Sequence, residues 1–127
     1  MIHCTITLKQ GEDEFTDATI EVRVKPESFT VQPNQAAVTW EVINKTTAEE
    51  TVKLRAFRNK TSMAGPHAPH KPVTPKLKVT VGNVNSGNNR GTIVLDMDPA
   101  KAMSGHIFKY NIHVGKVVAV DPEIEIA

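Results

Sequence analysis

The sequence predicts an all-β protein, an antiparallel Greek-key β-sandwich of about seven to nine strands, on three observations. Apolar and polar residues alternate in many short runs. Those runs recur roughly every ten residues, separated by Gly, Pro, Asn and Asp. No window carries the i, i+3, i+4 spacing of a helix three turns long. The length, 127 residues, suits one core, so residues 1–127 are expected to form a single domain. Only four Phe, one Tyr and one Trp are present, so the core must rest on Val, Ile and Leu. The β-branched members of that set favour strands.

Each element has its own signal. Cys4, Ile6 and Leu8 alternate with Thr5 and Thr7, and Gly11-Glu12-Asp13-Glu14 then reads as an exposed turn. Ile20, Val22 and Val24 share one face, with Glu21, Arg23 and Lys25 on the other, and Pro26 ends the run. Phe29 and Val31 form a short extended piece before the Pro33-Asn34 turn. Val38, Trp40 and Val42 alternate with Thr39 and Glu41 up to Asn44-Lys45-Thr46. Val52, Leu54 and Ala56 are expected inside, with Lys53, Arg55 and Phe57 outside, up to Asn59-Lys60-Thr61.

Residues 63–76 break the rhythm. Pro66, Pro69, Pro72 and Pro75 fall at every third position, which suits an extended polyproline-like loop and forbids a central strand. Strands resume at Leu77, Val79 and Val81. Asn85-Ser86-Gly87-Asn88-Asn89 is a turn, built of residues that tolerate positive φ. Thr92 to Met97 is the next strand, and Asp98 caps one helical turn over Pro99–Ser104. Phe108, Tyr110, Ile112 and Val114 give the cleanest late strand. Val117–Val120 and Glu123–Ile126 finish the chain, split by Asp121-Pro122.

Composition narrows the function. Fifteen basic residues against fourteen acidic ones leave a net charge of +1. That balance supplies no long-range field for nucleic acid or anionic membrane, so neither is expected as a partner. No stretch approaches the ~20 apolar residues of a membrane span. Met1-Ile2-His3-Cys4-Thr5 lacks the basic and apolar regions of a signal peptide, so the chain as written is expected in the cytoplasm. A processed piece of a longer precursor would instead be secreted. One cysteine, Cys4, excludes an intramolecular disulfide, a four-cysteine zinc site and a redox CxxC pair.

Phe29-Thr30-Val31-Gln32-Pro33-Asn34-Gln35-Ala36-Ala37-Val38-Thr39-Trp40 resembles the early strands of cupredoxin-like domains, in which a turn leads into a Val-x-Trp strand and an Asn-containing turn. Gly105 followed by Phe108, Tyr110 and Ile112 resembles the late strand of that fold. Asp121–Ile126 is similar to the last strand of its copper-free bacterial relatives. An immunoglobulin-like sandwich shows nearly the same pattern. The resemblance implies a blue-copper site made of one His after the Val-x-Trp strand and a Cys, His and Met in the last loop. Here Thr51-Val52-Lys53-Leu54 holds no His, Asn111 and Ile112 stand near the cysteine position, and Cys4 lies at the far end of the chain. The resemblance therefore implies the fold without the copper ligands.

Other candidate chemistries are sparse. His67-Ala68-Pro69-His70 could share a metal, but a loop pair without a third ligand holds one weakly. Met1-Ile2-His3 offers a terminal amine, two amides and an imidazole to square-planar Cu(II) or Ni(II). His106 and His113 lie seven apart, on opposite faces of a strand. Cys4 and His3 are neighbours that face opposite ways and cannot act as nucleophile and base. Asp96-Met97-Asp98 supplies too few oxygens for calcium. Asn44-Lys45-Thr46 and Asn59-Lys60-Thr61 match the glycosylation acceptor pattern, though turn chemistry alone explains both. Lys71, Lys76 and Lys78 cluster without the aromatics that nucleic-acid binding wants.

Two functions follow. The first is a non-catalytic binding or structural module, working through a protein partner or by self-association along an edge strand. Its expected contact is the proline-rich loop, with Pro66, His67, Pro69, His70 and Lys71, and it needs no cofactor. The alternative is a copper-binding protein using His3, His67 and His70. Tightly held, stoichiometric metal in untagged protein would favour the alternative. An enzyme is not expected, because no nucleophile, base and oxyanion donor stand together.

Overall fold

A computed structural model of the chain describes residues 1–11, 20–71 and 77–127. The turn expected over 11–14 lies largely outside these residues, as do Pro72, Pro75 and Lys76. The described residues form ten strands: β1 (Cys4–Gln10), β2 (Ile20–Lys25), β3 (Ser28–Val31), β4 (Ala37–Asn44), β5 (Glu50–Asn59), β6 (Lys78–Val81), β7 (Arg90–Asp96), β8 (Ile107–Val114), β9 (Val117–Ala119) and β10 (Glu123–Ile126). They build two sheets, one ordered β2-β1-β4-β7, the other β3-β10-β8-β5-β6 with β9 also paired to β8. The fold is all-β, and apart from the second half of β5 the expected alternations fall on these strands.

Two details correct the expectation. Among the described residues ten strands are present rather than seven to nine, and β9 and β10 lie in succession along the same side of β8. Val117–Ala119 pairs with Ile112–Val114, and Glu123–Glu125 with Ile107–Lys109. Asp121-Pro122 separates the two, since proline has no N–H for the ladder. Pro122 is buried, and its carbonyl accepts the Tyr110 N–H at 3.1 Å. Nor is the pairing purely antiparallel, since β1 runs parallel to β4 and β3 parallel to β10. Parallel neighbours need a long connection. The route from β1 to β4 supplies one by visiting the second sheet as β3.

The core lies between the sheets. From the first come Cys4, Ile6 and Leu8 of β1, Val38, Trp40 and Val42 of β4, and Ile93 and Leu95 of β7. Against them pack Phe108, Tyr110, Ile112 and Val114 of β8, Val52 and Leu54 of β5, and Ile124 and Ile126 of β10. Burial of each such side chain stabilises the fold by roughly 1.5–3 kcal/mol before entropic costs. At the β6–β7 edge Gly91 lets the sheets close, for a Cβ there would sit 2.7 Å from Val79 Cγ2.

On β5 the alternation slips. Arg55 pairs with Asn111 and Arg58 with Lys109, so two residues of β5 face one of β8. This is a β-bulge. Ala56 takes the extra position with φ of 56°. Contrary to the sequence expectation, Ala56 is exposed and Phe57 turns toward the core. Phe57 stacks on Tyr110 with ring centroids 5.4 Å apart. Outside, the Arg58 guanidinium clamps the bulge, donating to the Ala56 carbonyl at 2.9 Å and to Asn111 Oδ1 at 3.0 Å.

The two Asn-Lys-Thr segments work as turns. Asn44 Oδ1 accepts the Thr46 N–H, and Asn59 Oδ1 accepts that of Thr61, both at 2.9 Å. Asn44 is also fully buried, and its Nδ2 donates to the carbonyls of Ala48, Val81 and Gly82. One amide thus ties the β4–β5 turn to the end of β6. The helical turn expected over Pro99–Ser104 is reduced to a hydrogen-bonded turn at Pro99–Lys101, which Asp98 closes: its Oδ1 accepts the Ala100 N–H and its carbonyl accepts the Ala102 N–H.

Two substitutions test these local devices. Ala56→Gly should raise stability by about 0.5–1 kcal/mol in urea denaturation, because glycine adopts positive φ without a steric cost and the Ala56 side chain is exposed. An unchanged or lower midpoint would contradict the bulge geometry. Asn44→Ala should cost about 3 kcal/mol, since buried carbonyls lose their donor. Asn44→Asp should fare no better, because it keeps the acceptor for Thr46 but removes the donor.

Candidate functional site

The polar groups of the interior are engaged with one another. Trp40 Nε1 donates to Tyr110 Oη across the core at 3.0 Å. The Cys4 thiol donates to the Pro26 carbonyl at 3.3 Å and lies within hydrogen-bonding reach of the Tyr110 hydroxyl. Burial pushes the Cys4 thiol up to about 11, partly opposed by hydrogen bonds from Tyr110 and the Lys25 backbone. Burial, reinforced by the Cys4 charge, likewise holds the Tyr110 hydroxyl protonated well above its ordinary range. A thiol in this state is inert packing rather than a nucleophile.

His3 is held by Thr39. Its amide donates to the Thr39 carbonyl at 2.9 Å, and its Nδ1 accepts the Thr39 N–H at 3.2 Å. A chelate at Met1-Ile2-His3 would have to break both bonds. Burial, with the positive charge of the Met1 amine, lowers the His3 pKa and favours the neutral imidazole.

Residues 63–71, the described part of the proline-rich loop, fall into two parts. Met63 and His67 are exposed, and Pro66 is half-buried. Pro69 is buried and His70 packs edge-on against Phe57, with centroids 5.2 Å apart. The backbone of 69–71 runs along the end of β7: His70 bridges Met97, Lys71 N–H donates to the Asp96 carbonyl, and Asp98 N–H donates to that of Pro69. Of the five loop residues expected to make contact, Pro69 and His70 are therefore spent on the protein's own core and edge. Deleting residues 65–72 would strip that cover as well as any contact surface. Among the described residues, no three His, Cys, Asp or Glu side chains group to hold a metal ion, so His3, His67 and His70 do not converge.

The structure instead assembles a cluster on the outer face of the six-stranded sheet. Lys53 of β5 stands directly opposite Lys78 of β6 on one side and His113 of β8 on the other. The three form one row across three strands, with Arg55 two residues along β5 from Lys53. Among the described residues, no ion pair involves Lys53, Arg55 or Lys78. Two adjoining clefts share Lys53 and Arg55. The first, of about 270 Å³, lies between β5 and β6 and adds Leu54, Leu77 and Lys78. The second, of about 390 Å³, reaches His113 and Gly115, and Glu49 and Glu50 line it as well. Burial pushes the Glu50 carboxyl up.

Sequence reading placed Lys53 and Arg55 on the outside but did not join them to Lys78, which it grouped with Lys71 and Lys76. Only strand register brings Lys53, Lys78 and His113 together. The chain matches no protein-family model, and no curated protein is significantly similar to it. The fold is all-β in two sheets, and no helix among the described residues is long and apolar enough to cross a membrane.

The Cys4 and Tyr110 shifts predict an alkaline limit to stability. Both groups have folded pKa values raised above their unfolded values of 9.0 and 10.0. Their contribution is complete below pH 9 and is lost as pH rises, from Cys4 between 9 and about 11 and from Tyr110 above 10. Urea midpoints across this range should show the gap between wild type and Cys4→Ala constant below pH 9 and narrowing toward pH 11. A gap that does not narrow would place the thiol in a solvated site.

Proposed function

We propose that the chain is a non-catalytic binding module that docks a partner protein on the outer face of its six-stranded sheet. The observation that carries this reading is the row Lys78–Lys53–His113 with Arg55 beside it. Like charges directly opposite each other destabilise a sheet. The fold gains nothing from such a row by itself, whereas a partner of opposite charge would. The neighbouring row, where Thr51 and Thr80 share a hydrogen bond of 2.8 Å, has no such conflict. Two clefts adjoin Lys53 and Arg55, giving this face concave ground for a partner.

We read the architecture as a cupredoxin-like or immunoglobulin-like sandwich, on the strength of the Val38-x-Trp40 strand facing Tyr110. That likeness concerns the scaffold and carries no activity with it. His67 and Lys71, exposed on the loop, are a secondary contact in this reading.

Site-specific photo-cross-linking in the native host tests the proposal. Thr51→p-benzoylphenylalanine puts the probe on the proposed face, and Thr92→p-benzoylphenylalanine puts it on the outer face of the four-stranded sheet. A discrete protein adduct is expected from position 51 and not from 92, and adding Lys53→Glu should abolish it. Adducts from neither position, or equally from both, would refute the reading.

A further inference from the structure

Resting on the reading of this face as a contact surface, we propose that the cleft between β5 and β6 takes an extended acidic segment of the partner, its carboxylates set against Lys53, Arg55 and Lys78. The spacing suits such a ligand. Lys53 and Arg55 follow one another on the same face of β5, so their Cα atoms lie about 6.8 Å apart, the repeat of alternate residues in any extended chain. A segment lying along β5 with acidic residues at i and i+2 therefore meets both cations in register. Lys78, directly across from Lys53, stands about 5 Å away on the neighbouring strand and reaches the first of those carboxylates. The backbone at Leu54 and Leu77, whose side chains turn inward to the core, forms the base of the cleft beneath the three cations.

The extent of the cationic patch argues for a short peptide over a nucleic acid. Glu49 and Glu50 border it beside the second cleft. Farther along the sheet Glu123 lies 2.9 Å from Lys60 and 3.9 Å from Lys109, so those cations are already matched. A nucleic acid strand carries one negative charge per nucleotide along its whole length and would run onto these carboxylates. Nor does this part of the sheet offer a stacking platform, because Phe108 and Tyr110 are buried and Phe57 turns inward at the bulge.

Fluorescence anisotropy with the intact protein tests the assignment, using fluorescein-labelled hexaglutamate, labelled hexaglutamine and labelled hexathymidylate as probes. Hexaglutamate should bind, weaken with added sodium chloride, and lose about tenfold in affinity when Lys53→Thr and Lys78→Thr are combined. Hexaglutamine should not bind. The double variant should melt no lower than wild type, because removing facing like charges relieves the sheet; a lower melting temperature would assign the lysines a structural role and overturn the proposal. Failure of hexaglutamate to bind, binding indifferent to the double variant, or tighter binding of hexathymidylate would also overturn it. If position 51 still cross-links a protein while hexaglutamate fails, the contact face stands and only the acidic-segment assignment falls.

Discussion

The hydrogen bond from the Trp40 indole to the Tyr110 hydroxyl joins the two sheets at the centre of the molecule. Trp40 belongs to the four-stranded sheet and Tyr110 to the six-stranded one, and both are fully buried. A buried indole N–H or phenol without a partner is costly, so each residue constrains where the other can stand. Around this bond the other groups fall into place. Phe29 meets Trp40 edge-on, Phe57 stacks on Tyr110, and the Cys4 thiol lies beside the hydroxyl. The relative position of the sheets is thus set by a directional contact as well as by the nondirectional packing of Val, Ile and Leu.

Phe57 takes part in this arrangement only because β5 is bulged. With strict alternation, Ala56 would face the core and Phe57 the solvent, which is how the run reads from residue types alone. One inserted position reverses the phase, and Arg58 secures it from outside. The same slip keeps a large aromatic off the outer face of the sheet, next to the cationic row. A local irregularity in the backbone therefore shapes both the core and the exposed surface.

Strand positions could be read from the sequence because half-buried strands announce themselves within a few residues. Val38, Trp40 and Val42, or Phe108 through Val114, need no knowledge of their neighbours to be recognised. The sheet assignments could not be read that way. The parallel pairing of β1 with β4 depends on the chain visiting the other sheet between them, and the bulge depends on what β8 presents opposite β5. The same holds for the site. His3 and the His67–His70 pair are candidate ligands by residue type, yet Thr39 holds His3 and Phe57 packs against His70. Lys53, Lys78 and His113 are distant in sequence and meet only through register.

The described part of the segment after β5 is fastened at Pro69–Lys71 and exposed at Met63. Pro69 to Lys71 lie along the end of β7, while Met63 stands almost fully in solvent at 97%. Tolerance to added sequence follows burial and hydrogen bonding rather than loop membership. Foreign residues inserted after Met63 would extend into water and leave both sheets undisturbed, whereas the same insertion at His70 would pry the backbone from β7 and withdraw a ring from Phe57. A single irregular segment thus holds both a permissive graft point and a fixed strut, six or seven residues apart along the chain.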